Sequence, residues 1–176
     1  MLEGDRVVLR PIQASDRERL YELIETIEVR ALSNNDPPLP VSLEEVEARD
    51  KRWIEEGQTG SAWFAIDVDA ETIGVCGLHS IDHYHQRADV GIRIGKPYWR
   101  RGHGQDAVRT LLEYGFSQLN LAKISLQVLA DDERAVGAYL KTGFVEEGPL
   151  RDHTWYDGAR HDELVMGVRR GDWKPA

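Results

Sequence analysis

Seven residues, ADVGIRI at positions 88–94, alternate strictly between two kinds of side chain. After a short connector, a Gly-x-Gly pair opens a run with apolar residues at helical spacing. Alternation with period two marks a strand, and spacing of three and four marks an amphipathic helix. Val90, Ile92 and Ile94 share one strand face; Asp89, Gly91 and Arg93 share the other. Ala107, Val108, Leu111, Leu112, Phe116 and Leu119 mark the helix. A second strand, KISLQVLA (123–130), follows. Strand, helix and strand form a β-α-β crossover, which places a parallel pair inside one sheet.

The rest of the chain fits around that unit. DRVVLRPI (5–12) reads as a first strand ended by Pro11. SDRE (15–18) and SLEE (42–45) read as capping boxes that open two helices. Leu20, Leu23, Ile24 and Ile27 give the first helix its face; Leu43, Val46, Trp53 and Ile54 give the second a sparse one. Prolines make 33–40 a loop. Residues 61–69 and 73–81 read as a hairpin with a turn at 70–72. Residues 131–143 read as a helix with an acidic cap and Gly143 as its stop. The last two strands flank an Asp157-Gly158 turn. The order is β-α-α-β-β-β-α-β-α-β-β. It predicts an α/β (α+β) fold with one mixed central sheet, and a single domain over residues 1–176.

Charge narrows the partners. The formal net charge is −9, which argues against nucleic acid and anionic membranes and favours a cationic partner. No apolar run approaches the roughly 20 residues that span a bilayer. The start of the chain lacks a secretory pattern, so a cytoplasmic protein is expected. The single cysteine, Cys76, excludes an intrachain disulfide and reads as a small buried strand residue.

Against that acidic background, WRRGHG (99–104) concentrates positive charge and glycine at a helix start. Helix N-termini expose unpaired amides, which favour phosphate. Two readings follow: a diphosphate-bearing cofactor, or a tight turn with solvated arginines. GxxxxGK[ST] is absent, which removes the P-loop. Gly102-x-Gly104-x-x-Ala107 formally matches a dinucleotide fingerprint. That fingerprint follows its strand directly and opens the first β-α-β unit, and this one does neither.

GIRIGKPYWRRGHGQDAVRTLL resembles the acetyl-CoA-binding segment of the GNAT N-acetyltransferases. It is most similar to the branch of ribosomal-protein N-terminal (RimJ/RimL-like) and spermidine acetyltransferases, with Tyr98-Trp99 before the glycines and Asp106 after them. The similarity covers nearly the whole chain, from DRVVLRPIQASDRERLYELI through LADDERAVGAYLKTGFVEEG to the C-terminal hairpin. It implies a splayed strand pair holding the pantetheine arm of acetyl-CoA along Ile92 and Ile94. It also implies a pyrophosphate on the amides of Arg101, Gly102, His103, Gly104 and Gln105, with Asp106 nearby. Trp99 departs from the Gln or Arg of the wider family. Asp132 stands where an Asn commonly meets the cofactor arm, and an ionised carboxylate cannot donate there. His103 adds a group that titrates near neutrality.

The implied reaction is direct attack of a primary amine on the acetyl thioester. Tyr139 falls on the family tyrosine that protonates the departing thiolate; by spacing alone it is a core aromatic. Asp89 falls near the family glutamate and is the candidate base; His79, His83 and His85 are alternatives. Their H-x3-H-x-H spacing raises a metal site, but a strand-loop-strand does not converge them, so no metal is expected. A small amine or a protein N-terminus is the expected acceptor, and exposed strand edges allow a homodimer. The alternative is a non-catalytic acyl-CoA-binding module.

Overall fold

In a computed structural model, residues 1–32, 39–55 and 60–174 are described, with the side chains of 50–55 outside the description. The expected loop at 33–40 therefore lies mostly outside the described residues, as do the Trp53 and Ile54 side chains.

Eight strands form one sheet in the order β1-β2-β3-β4-β5-β6-β8-β7. They are β1 (Leu2–Glu3), β2 (Val8–Pro11), β3 (Ala62–Val68), β4 (Glu71–Asp82), β5 (Arg87–Ile94), β6 (Lys123–Leu129), β7 (Val145–Tyr156) and β8 (Ala159–Arg169). Among the described residues, five α-helices accompany them: α1 (Arg17–Ile24), α2 (Ile27–Ala31), α3 (Leu43–Glu55), α4 (His103–Ser117) and α5 (Glu133–Lys141). Among the described residues, only β5 and β6 run parallel, across the α4 crossover. Their register holds at Arg87↔Lys123, Ala88↔Ile124 and Asp89↔Ser125 and then ends. Residues 90–94 and 126–129 diverge into a V.

Apolar residues on both faces of the sheet fix the helices. On one face, Leu111, Leu112 and Phe116 of α4 bury against Leu78, Val90, Ile124 and Met166. On the other, Leu20, Leu23, Ile24 and Val29 cover Val75.

Local chemistry sets the ends of these elements. Ser42 and Glu45 exchange the expected capping contacts, at 2.7 and 3.2 Å. The first box sits two residues earlier than its Ser15–Glu18 pattern: Asp16 accepts from the Gln13 N–H at 2.7 Å. Arg10 explains the shift, because it clamps Asp16 at 2.7 Å and Asp67 at 2.6 Å and so holds that carboxylate in place. The helix expected to continue to Ile27 breaks after Ile24. There the Glu25 carboxylate is buried and meets Arg30, Arg49 and Arg93 at 2.9, 3.0 and 3.4 Å. Thr26 then caps α2 by accepting from Val29 at 3.3 Å. The β3–β4 turn is Asp69-Ala70, both at positive φ, one residue earlier than expected.

Candidate active site

The V between β5 and β6 opens into a cavity of about 790 Å³. Its wall takes Asp89, Ile92 and Ile94 from β5, and Ser125 and Gln127 from β6. Asp132 and Tyr139 come from α5 and its cap, and Glu163 from β8. The start of α4 closes one end with Arg101, Gly102, His103, Gly104 and Gln105. Sequence-expected site residues from three separated segments thus share one cavity. Asp106 does not line it.

The glycine turn makes an anion cradle. Gly102 caps α4 at φ 84, a left-handed conformation that a side chain disfavours. The Asp106 N–H is the amide that first bonds back, to Gly102 O at 3.1 Å. The amides of 103–105 precede it at the positive end of the helix dipole. Arg101 lies beside the Tyr98 ring, 5.8 Å from its centroid. Arg6, far away in sequence, brings its Nε to 3.8 Å from where a Gly102 Cβ would stand. His103 Nδ1 is buried without a hydrogen-bond partner. Desolvation lowers the His103 pKa from 6.5, and Arg101 and Arg6 lower it further. Amides, guanidinium groups and an unpartnered ring nitrogen fit a diphosphate.

That pKa direction sets a pH prediction. His103 is neutral at pH 7, and a bound diphosphate favours its charged form. Acetyl-CoA binding therefore strengthens as pH falls from about 7.5 to about 5.5, with uptake of a proton. Titration calorimetry in two buffers measures both, and His103→Asn weakens the dependence.

Asp106 corrects the sequence expectation. Its buried carboxylate accepts the N–H groups of Asp5, Arg6 and Val7 at 3.2, 2.7 and 3.0 Å. It pins the N-terminal chain to α4 and thereby positions Arg6. Asp132 caps α5 by accepting from Ala135 N at 3.0 Å and pairs with Arg134 at 2.9 Å. Aspartate in place of asparagine thus serves the helix end. Arg134 also lies over Trp99, 4.5 Å from the ring centroid, and joins α5 to the glycine turn. The Trp99 indole donates to Ile94 O at 2.6 Å, so that carbonyl is already engaged.

Tyr139 packs edge-on against Phe144 at 5.8 Å between centroids. Burial pushes its hydroxyl up to about 12, opposed by Arg134 and reinforced by Asp132. Asp89 stands in register with His79 and Ser125, and opposed residues share a face. Trp63 reaches that face across Gly77 and Gly91, where a Cβ would meet its ring at 2.6 and 2.8 Å. Neither Trp63 nor Glu163 was legible as a site residue; only the strand register places them on the face that carries Asp89. His83 and His85 project outward, with His85 bonded to Asp82 at 2.7 Å. Among the described residues, no three His, Cys, Asp or Glu side chains could hold a metal ion. Cys76 is fully buried, and desolvation raises its thiol pKa.

The family model described as acetyltransferase (GNAT) domain matches residues 6–145. The chain belongs to the GNAT acetyltransferase family. It is 31% identical to the uncharacterised N-acetyltransferase p20 of Bacillus licheniformis, over 98% of this chain and 97% of that one. Spermidine N(1)-acetyltransferase of Escherichia coli is 29% identical, over 96% and 88%. The crystal structure of spermidine N-acetyltransferase from Vibrio cholerae, in complex with CoA and spermine, superposes with a TM-score of 0.86. It shares 25% identity and covers 96% of this chain and 98% of that one. This GNAT enzyme moves an acetyl group from acetyl-CoA to a primary amine. A non-catalytic acyl-CoA-binding role is not favoured. Among the described residues, no helix is long and apolar enough to cross a membrane.

Proposed function

We propose that the acceptor is a small polycation of the polyamine type, and that residues 1–176 act as one catalytic domain. The V-shaped cavity carries this reading: an anion cradle lies at one end, and the carboxylates of Asp89 and Glu163 line the same wall. The net charge of −9 and the spermidine acetyltransferase relatives support it. A protein N-terminus is the second reading; the cavity, with its own carboxylates, favours the small amine.

The cofactor diphosphate rests on the amides of 101–105, and the arm follows β5 from Ile94 past Ile92 toward Asp89. The neutral amine nitrogen attacks the thioester carbonyl. A C–N bond forms, the C–S bond breaks, and the electron pair leaves on sulfur. Asp89 takes the amine proton, directly or through water. Tyr139 donates its hydroxyl proton toward the sulfur and recovers one from solvent. The protein works as a homodimer through an exposed sheet edge, in the cytoplasm where acetyl-CoA is available. Sedimentation velocity tests the dimer.

Thiol release is measured with monoamines, diamines, spermidine, an amino acid, an aminoglycoside and a basic peptide. Spermidine or a diamine gives the highest kcat/KM. Turnover of the peptide alone refutes the polyamine reading. Asp89→Asn lowers kcat by about 100-fold on the best acceptor; an unchanged kcat removes Asp89 as the base.

A further inference from the structure

Glu163 is the cavity carboxylate that the chemistry above leaves unused. Its side chain is buried, with 5% of the residue exposed. One oxygen, Oε1, accepts from the Thr154 hydroxyl. The other, Oε2, is buried with no hydrogen-bond partner. An ionised carboxylate in such a place is poorly compensated unless a donor arrives. Both Glu163 and Thr154 line the acetyl-transfer cavity.

Strand register locates this group relative to the reacting end. Glu163 opposes Leu129 on β6, and Asp89 opposes Ser125 on β6. Opposed residues share a face, and Ser125, Gln127 and Leu129 alternate onto the same face. The two carboxylates are therefore on one side of the sheet. They are offset by about 13 Å along the strands, at about 3.3 Å per residue, and by two strand spacings across them. One amine nitrogen cannot reach both.

We infer that Glu163 anchors a second, non-reacting ammonium of the acceptor while its primary amine reacts near Asp89 and Tyr139. The inference rests on the polyamine reading above. A buried carboxylate holds a bound ammonium in its charged form, which suits an anchor and opposes a nucleophile. Three cationic side chains of the cavity wall already have neighbours of their own. Arg93 pairs with Glu25, Arg134 with Asp132, and Arg101 lies beside Tyr98. Glu163 accordingly selects acceptors with two separated positive charges. The span it sets is that of an extended chain of roughly ten atoms, given the strand spacings.

The test compares α,ω-diamines of increasing length with monoamines of equal length, at saturating acetyl-CoA. On the wild-type enzyme, kcat/KM peaks at one diamine length and exceeds that of the matched monoamine. Glu163→Gln keeps the shape and the Thr154 contact but removes the charge. It raises KM for the preferred diamine by about tenfold or more, with a smaller change in kcat. The diamine-to-monoamine ratio falls by a similar factor. A loss of kcat on every amine would make Glu163 a proton acceptor and overturn the anchor. A raised KM for acetyl-CoA would assign Oε2 to the cofactor arm and overturn it too. Diamine turnover with an unchanged ratio in Glu163→Gln overturns only the anchor. Absence of small-amine turnover overturns both readings. The wild-type length series stands without any variant having to fold.

Discussion

With phenylalanine in place of Tyr139, kcat falls by about 10²–10³-fold while KM for acetyl-CoA shifts by less than about threefold. The ring survives in this variant, so its packing on Phe144 is kept and only the hydroxyl is lost. That hydroxyl is pushed up to about 12 by burial, so it stays protonated throughout the neutral range. A protonated donor at the departing sulfur stabilises charge that exists only as the C–S bond breaks. The loss therefore appears in kcat and not in cofactor binding. Steady-state kinetics with a saturating amine measures it. An undiminished kcat would return Tyr139 to the core aromatic that its spacing alone suggests.

Asp106→Ala gives the largest loss of stability. It leaves the N–H groups of Asp5, Arg6 and Val7 without their acceptor, and Val7 is 2% exposed. The buried Val7 N–H left unsatisfied costs about 1–3 kcal/mol and the two part-buried hydrogen bonds of Asp5 and Arg6 about 1 kcal/mol each, which gives a total of about 3–5 kcal/mol. For a chain of this size, that lowers Tm by about 10–15 °C. Asp106→Asn retains an acceptor oxygen and loses roughly a third of that. KM for acetyl-CoA rises as well, because the N-terminal chain that holds Arg6 near Gly102 loosens. Thermal unfolding checks the first effect and kinetics the second. A raised KM with unchanged Tm would mean that Asp106 meets the cofactor itself.

Asp106 shows what spacing can and cannot say. Its position after Gly-x-Gly marks it as part of the motif, and the motif is real. Its partners are backbone amides about 100 residues away, and no local pattern encodes them. Asp132 divides the same way: its cap of α5 was legible in the sequence, but its pairing with Arg134, which lies over Trp99, comes only from the structure. The elements that were read well have short-range causes. Strict alternation made β5, 3.6-residue periodicity made α4, and Asp157-Gly158 made the last hairpin. The misplaced edges have causes outside the local helix pattern. Arg10 moved the first cap by gripping Asp16, and the buried Glu25 with its three arginines ended α1 early.

The sequence by itself determined the order of elements from β3 onward, the crossover, the glycine turn that opens α4 and the family. These depend on periodicity, glycine and caps, which act within a few residues of one another. Only the tertiary structure decided which side chains share the cavity with Asp89. Trp63, Asp89, Thr154 and Glu163 come from four strands, and they converge because sheet register carries opposed residues onto one face. A shift of one residue in any ladder would turn them away. Register is set by the packing of both cores, so this cavity wall is a property of the folded sheet.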